Sequence, residues 1–200
     1  MNTLHERERF HQNIKIPFLI ITIIFLLACF LGYLNGCAFI WLIDLLKEIF
    51  GEEFGTVSPL YLFGFIFVNN TVKSFLVIPL GALLAIPPLL FIFSNGFLIG
   101  ILGYSLVQTH QAGLVFLLAG TLPHGIIELT AVFWSSAIGL RVGWAAISKL
   151  RGVDRSSVKM EMATGFRTFA VKILPLLLLA AFIEAFITPI IIRLAGIPLL

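Results

Sequence analysis

The sequence predicts an all-α integral membrane protein with about five transmembrane helices, a broken fourth one, and one interfacial amphipathic helix. Three observations carry that reading. Of 200 residues, 60% are hydrophobic and 12% charged, whereas soluble domains carry roughly 25% charged residues. Mean hydropathy is +1.08. Apolar runs near the roughly 20 residues needed to cross a bilayer recur along the chain. So little polar surface cannot cover a water-soluble globule, which excludes an ordinary soluble enzyme, a disordered tail and a small disulfide-stapled domain. The reading is a single polytopic domain over residues 1–200.

The elements follow in order. Arg7, Arg9 and Lys15 precede the first apolar run, Pro17–Leu34. That run is longer than a signal-peptide core and lacks an A-x-A site, so it reads as an uncleaved span. After Asn35-Gly36, residues 39–54 place Phe39, Leu42, Ile43, Leu46, Ile49 and Phe50 at helical spacing, with Asp44, Lys47, Glu48, Glu52 and Glu53 on the other face. This predicts a helix lying in the interface. Ser58-Pro59 starts a second span, about Leu60–Leu83, and Pro87-Pro88 opens a third that ends near Val107. A fourth stretch, Ala112–Leu140, is too long for one simple helix and contains Pro123, so a break is expected there, with Gly125 beside it. The fifth is Ile173–Ile192.

Between the last two stretches, residues 141–172 read as a basic loop. It carries Arg141, Lys149, Arg151, Arg155, Lys159, Arg167 and Lys172. The positive-inside rule places this loop and residues 1–16 in the cytoplasm. Five spans satisfy both assignments, with the protein in the cell membrane and its C-terminus outside. A net charge of +3 with no basic run interleaved with aromatics gives no footprint for nucleic acid. Cys29 and Cys37 form no CxxC pair, and no cofactor is predicted. The expected partners are the lipid bilayer and other membrane proteins, with self-association as one option. Gly32/Gly36, Gly96/Gly100 and Gly139/Gly143 are GxxxG pairs that mark close helix packing.

Polar groups inside spans are costly and call for a reason. Asn69, Asn70 and Lys73 lie near the middle of the second span, Asn95 in the third, His124 and Glu128 in the fourth, and Glu184 in the fifth. Four helices thus bring polar side chains to about one depth. This layer reads either as glue between helices or as a proton, ion or solute site of the kind transporters hold at the midplane. His124 and Glu128, four residues apart on one helical face, are weak metal-ligand candidates because the second histidine of HExxH is missing. Pro123 and Gly125 would restart a helix there, with free N–H groups at its end.

In this order, Asn69-Asn70, Ser94-Asn95-Gly96-Phe97-Leu98-Ile99-Gly100, Leu122-Pro123-His124-Gly125-Ile126-Ile127-Glu128-Leu129, Gly139-Leu140-Arg141-Val142-Gly143 and Ile183-Glu184-Ala185-Phe186-Ile187-Thr188-Pro189 resemble the stage II sporulation protein M family. The family comprises small multi-pass membrane proteins of bacteria and archaea, and the resemblance runs from about Phe63 to Pro189. It implies an anchor or scaffold in a membrane or envelope complex rather than a hydrolase, and it supplies no reaction. The expectation is therefore a non-enzymatic scaffold or subunit. The alternative is a small transporter or channel for a proton, cation or polar solute that uses the Glu, His and Asn layer.

Overall fold

In the computed structural model, residues 14–54, 58–109, 113–153 and 157–194 are described. They are helical, with no strand among them. Arg7, Arg9 and Arg155 lie outside them. Helix α1 spans Lys15–Leu34, α2 Gly36–Phe54, α3 Pro59–Leu80, α4 Ile86–Thr109 and α5 Gly113–Leu150. The C-terminal arm is one continuous helical run, in which α6 (Val158–Thr168), α7 (Leu174–Phe182) and α8 (Thr188–Leu194) are joined by two π-turns, Phe169–Ile173 and Ile183–Ile187. Five segments are long and apolar enough to cross a membrane: α1, α3, α4, α5 and the arm.

Their packing fixes their directions. Gly96 meets Phe25, Gly100 meets Cys29, and the Tyr104 ring meets Tyr33, so α1 and α4 run parallel. Asn70 bonds Glu128 and Val77 lies on Gly139, so α3 and α5 run parallel. The arm runs antiparallel to α5, because Thr188 meets His124 and Glu161 meets Arg141. Consecutive spans alternate in this way only if α2 does not cross. α2 begins at Gly36, with only Asn35 between it and α1, and leans on α4 through Gly36 against Tyr104 and Phe39 against Phe97 at 5.2 Å. Two expected helix starts are confirmed: Ser58 caps α3 through its hydroxyl to the Tyr61 N–H at 3.3 Å, and α4 opens beside Pro87-Pro88.

The predicted break in the fourth span is absent. α5 passes through Pro123 and Gly125 as one 38-residue helix, about 57 Å long. Proline removes a single donor, whereas ending a helix inside an apolar layer would strand several backbone groups with no partner. The 141–172 segment is likewise mostly helix rather than loop. α5 continues to Leu150, and α6 buries Glu161, Gly165 and Thr168 on one face. Of its described basic residues, Lys149, Arg151, Lys159, Arg167 and Lys172 are exposed and Arg141 is turned inward, a pattern that looks loop-like when only polarity is counted.

α5 is the centre of the bundle. Sixty-one percent of its apolar window is buried, against 22–33% for the other four segments. Phe133 packs edge-on against Phe25 at 4.9 Å and Phe18 at 6.0 Å, and Ile138, Val142 and Ala137 are fully enclosed. Gly139 and Gly143 permit this centrality. A side chain on Gly139 would meet the Val77 carbonyl at 2.5 Å, and one on Gly143 would meet Ala85. Ala85 belongs to the tight 81–85 link between α3 and α4. There Leu84 and Ala85 take left-handed backbone angles, with φ of 57° and 65°, a conformation disfavoured for side-chain-bearing residues. The GxxxG glycines therefore serve packing within the chain.

The parallel α1–α4 register also sets Lys15 level with the start of α4, beside the Gly143 end of α5. Both basic clusters, as far as they are described, fall at one end of the bundle.

Candidate functional site

Three of the four expected helices bring their polar groups together. α5 supplies His124 and Glu128, one turn apart on one face. The second π-turn of the arm supplies Glu184, and Thr188 follows on the first residue of α8. α3 supplies Asn70 from the middle of its 22 residues. One ligand-type atom each from His124, Glu128 and Glu184 lies within 4.8 Å of the others.

The contacts are specific. The Asn70 side-chain amide donates to Glu128 Oε1 at 3.0 Å, and Asn69 donates to Asn70 Oδ1 at 3.4 Å. His124 is buried and its Nδ1 lies 3.3 Å from the Thr188 hydroxyl. Its Nε2 points at Glu184 Oε2 at 3.8 Å, beyond hydrogen-bond length. The Phe63 ring stands 6.1 Å from Phe186, on the π-turn that carries Glu184. The π-turn itself is significant. Its i→i+5 geometry inserts one residue, which turns the following chain by about 100° relative to an unbroken α-helix, and such wide turns recur at functional sites.

Two expected members stay outside. Asn95 spends its amide on the Phe91 carbonyl of its own helix at 2.7 Å. Depth along a helix was right for Asn95, but the side chain is on a different face. Lys73 is exposed on the outer surface of α3 between exposed Val72, Phe75 and Leu76. Among the described residues it makes no ion pair with either glutamate. Thr188 is the member that the sequence reading missed, although its spacing of four from Glu184 put it on the same helical face.

A second charged site lies at the other end of α5. Arg141 donates to Glu161 Oε1 at 2.8 Å, with side chains 10% and 8% exposed. It welds α5 to α6. Nearby, Lys172 sits 5.0 Å over the Trp134 ring. Between the two sites, on the same helices α3 and α5, the hydroxyls of Thr71, Ser74, Ser135 and Ser136 are buried without a hydrogen-bond partner in the protein.

Chemically, the cluster gathers two carboxylates and an imidazole, with no lysine or arginine paired to them among the described residues. Away from water, two neighbouring carboxylates need a proton or a cation to offset their charge. The arrangement can therefore hold a proton or coordinate a small cation through one nitrogen and up to four oxygens.

The family model for stage II sporulation protein M matches residues 18–189. This starts well before the Phe63 boundary of the motif resemblance and takes in α1. An uncharacterized protein of Methanocaldococcus jannaschii is 27% identical over 177 residues, covering 88% of this chain and 95% of its own length. No solved structure matches the chain. The matched region contains every residue of the cluster, and the chain belongs to the stage II sporulation protein M family.

Proposed function

We propose that the protein is a small membrane transporter or channel that passes a proton or small cation through the Glu128–Glu184–His124 cluster. The observation that carries this reading is the charge composition of the cluster. A polar pin that only glues helices is stabilised by mutual pairing, and here two carboxylates share one imidazole and one amide. The unpartnered hydroxyls of Thr71, Ser74, Ser135 and Ser136 support it, because buried hydroxyls without protein partners suit water or an ion. In this reading the end bearing Lys149, Arg151 and Lys159 is cytoplasmic, the C-terminus is outside, and the protein resides in the cell membrane.

The test is flux in proteoliposomes under proton and monovalent or divalent cation gradients. Wild type is expected to dissipate at least one of them. Glu128→Gln and Glu184→Gln are expected to abolish that flux while keeping helix content and a monodisperse profile. Absence of wild-type flux under all gradients would remove the transport reading.

A second reading is favoured by Lys73. A lysine on the outer face of a span, flanked by apolar residues, is costly against lipid. A helix of a neighbouring membrane protein, or of a second copy, that brings a carboxylate to it would offset that cost. This supports a non-enzymatic subunit or scaffold, in line with what the family resemblance implies. Lys73→Leu is expected to dissociate such an assembly in mild detergent while leaving the isolated chain folded.

A further inference from the structure

We propose that the cluster binds a divalent transition metal of the zinc class, with His124 Nε2 and one oxygen each of Glu128 and Glu184 as ligands. The inference rests on the cation reading above and names the cation.

The donor set is the first support. One imidazole nitrogen and two carboxylate oxygens suit zinc, cobalt or manganese, whereas sodium, potassium and calcium favour all-oxygen shells. Geometry is the second. Ligand bonds of 2.0–2.2 Å in a tetrahedral site put ligand atoms about 3.4 Å apart. Here Nε2 and Glu184 Oε2 are 3.8 Å apart, and the three groups lie within 4.8 Å. The ligand atoms need to approach by about 0.4 Å for that pair and by up to about 1.4 Å for the widest one, shared between two side chains, to close the site.

The third support lies behind the ligands and is independent of their proximity. His124 has a 10% exposed side chain, and its Nε2, with no hydrogen-bond partner among the described residues, points into the cluster. Thr188 holds the other ring nitrogen. With Nδ1–H donating to the Thr188 hydroxyl, the Nε2 lone pair faces the carboxylates. Metal-bound histidines are oriented in this way by an outer partner on the second nitrogen. Asn70 does the same for Glu128, holding one carboxylate oxygen and leaving the other for the cation. A neutral imidazole and two carboxylates also cancel the charge of a divalent ion. A charge-neutral complex is the species an apolar layer tolerates best. Three protein ligands leave the ion open to water or to a transported group, so it should exchange rather than be entombed.

The test uses full-length protein purified in detergent without a metal-affinity tag, and Co2+ alone as the probe. Wild type is expected to take up about one Co2+ per chain, with the visible absorption of a low-symmetry four- or five-coordinate ion, and equimolar Zn2+ is expected to bleach it. His124→Ala is expected to abolish the band at unchanged helix content. Because that variant removes a buried side chain, Thr188→Val provides the second arm. It keeps all three ligands and is expected to weaken Co2+ affinity by about 10–100-fold. Asn95→Ala is expected to bind as wild type does. Absence of a band in wild type, or a band unaltered by both His124→Ala and Thr188→Val, overturns the metal site. The two readings also part here. Proton flux lost in Glu184→Gln but insensitive to metals and chelators keeps the transport reading and removes the metal, whereas stoichiometric Co2+ with no flux under any gradient does the reverse.

Discussion

Helix α5 carries two buried charged sites, and they are built on opposite principles. Near its C-terminal end, Arg141 meets Glu161 at 2.8 Å, a contact of opposite charges between nearly enclosed side chains. Near its middle, Glu128 lies close to Glu184 and His124, and Lys73 on the neighbouring helix is exposed on the outer surface. A paired buried charge resists change, because removing one partner strands the other. A site with surplus like charge loses little when one charge is removed and gains when a cation enters. The difference separates a contact that holds the fold from the cluster proposed to bind a cation, and it can be attacked from both sides.

The largest effect is expected at the paired site. Arg141→Ala leaves Glu161 buried and uncompensated, at a cost of about 3–5 kcal/mol. Thermal unfolding in detergent is expected to show a lowered midpoint or loss of the monodisperse species. Arg141→Met combined with Glu161→Leu removes both charges together and is expected to regain most of the loss. If Arg141→Ala melts like wild type, the pair does not weld α5 to α6.

Between the two sites lies Gly139. An added methyl there would press on the Val77 carbonyl and on Pro88 at 2.8 Å. Two backbones must move apart to admit it, so Gly139→Ala is expected to cost about 1–3 kcal/mol. Cluster binding is expected to weaken with it, because α3 carries Asn70 and would be displaced from Glu128. An Ala variant with wild-type stability would mean that α3 and α5 approach less closely than described.

At the cluster itself, Glu184→Gln is expected to change the unfolding free energy by no more than about 1 kcal/mol, since it removes a like charge beside Glu128 and keeps a polar side chain. Flux and metal uptake are expected to disappear in the same variant. Stability lost in step with activity would make the cluster a packing device like the Arg141 pair, and the contrast between the two sites would collapse.

The two sites were unequally visible in the sequence, for physical reasons. The five spans follow from apolar runs and proline and serine boundaries, which act locally. The cluster was legible as depth: Asn70, His124, Glu128 and Glu184 sit near the centres of their spans. Rotation about the helix axis is not legible in the sequence, so Asn95 and Lys73 share the depth of the cluster but not its face. A π-turn has no residue signature, so the irregularity was expected at Pro123 and occurs instead around Glu184. The Arg141–Glu161 pair joins residues 20 apart across a helix end. With positive residues clustered on both sides of that turn, Arg141 reads as one more topology signal.

Pro123 gives the smallest expected effect and bears directly on how the cluster is supported. It lies in the turn before His124 and Glu128, inside a helix that continues through it. A break there would have made the proline indispensable, because the ligands would depend on a half-helix whose start it sets. In a continuous helix, alanine restores one N–H donor and relieves one steric contact. Pro123→Ala is therefore expected to leave unfolding unchanged or raise it by about 1 kcal/mol, with Co2+ uptake and flux retained. The measurement that decides is metal affinity in a variant that folds. If Pro123→Ala folds with native helix content yet loses Co2+, the positions of His124 and Glu128 depend on a bend that only proline supplies. If affinity is unchanged, α5 acts as a straight rod that presents both ligands, and the adjustable part of the site is the π-turn that carries Glu184.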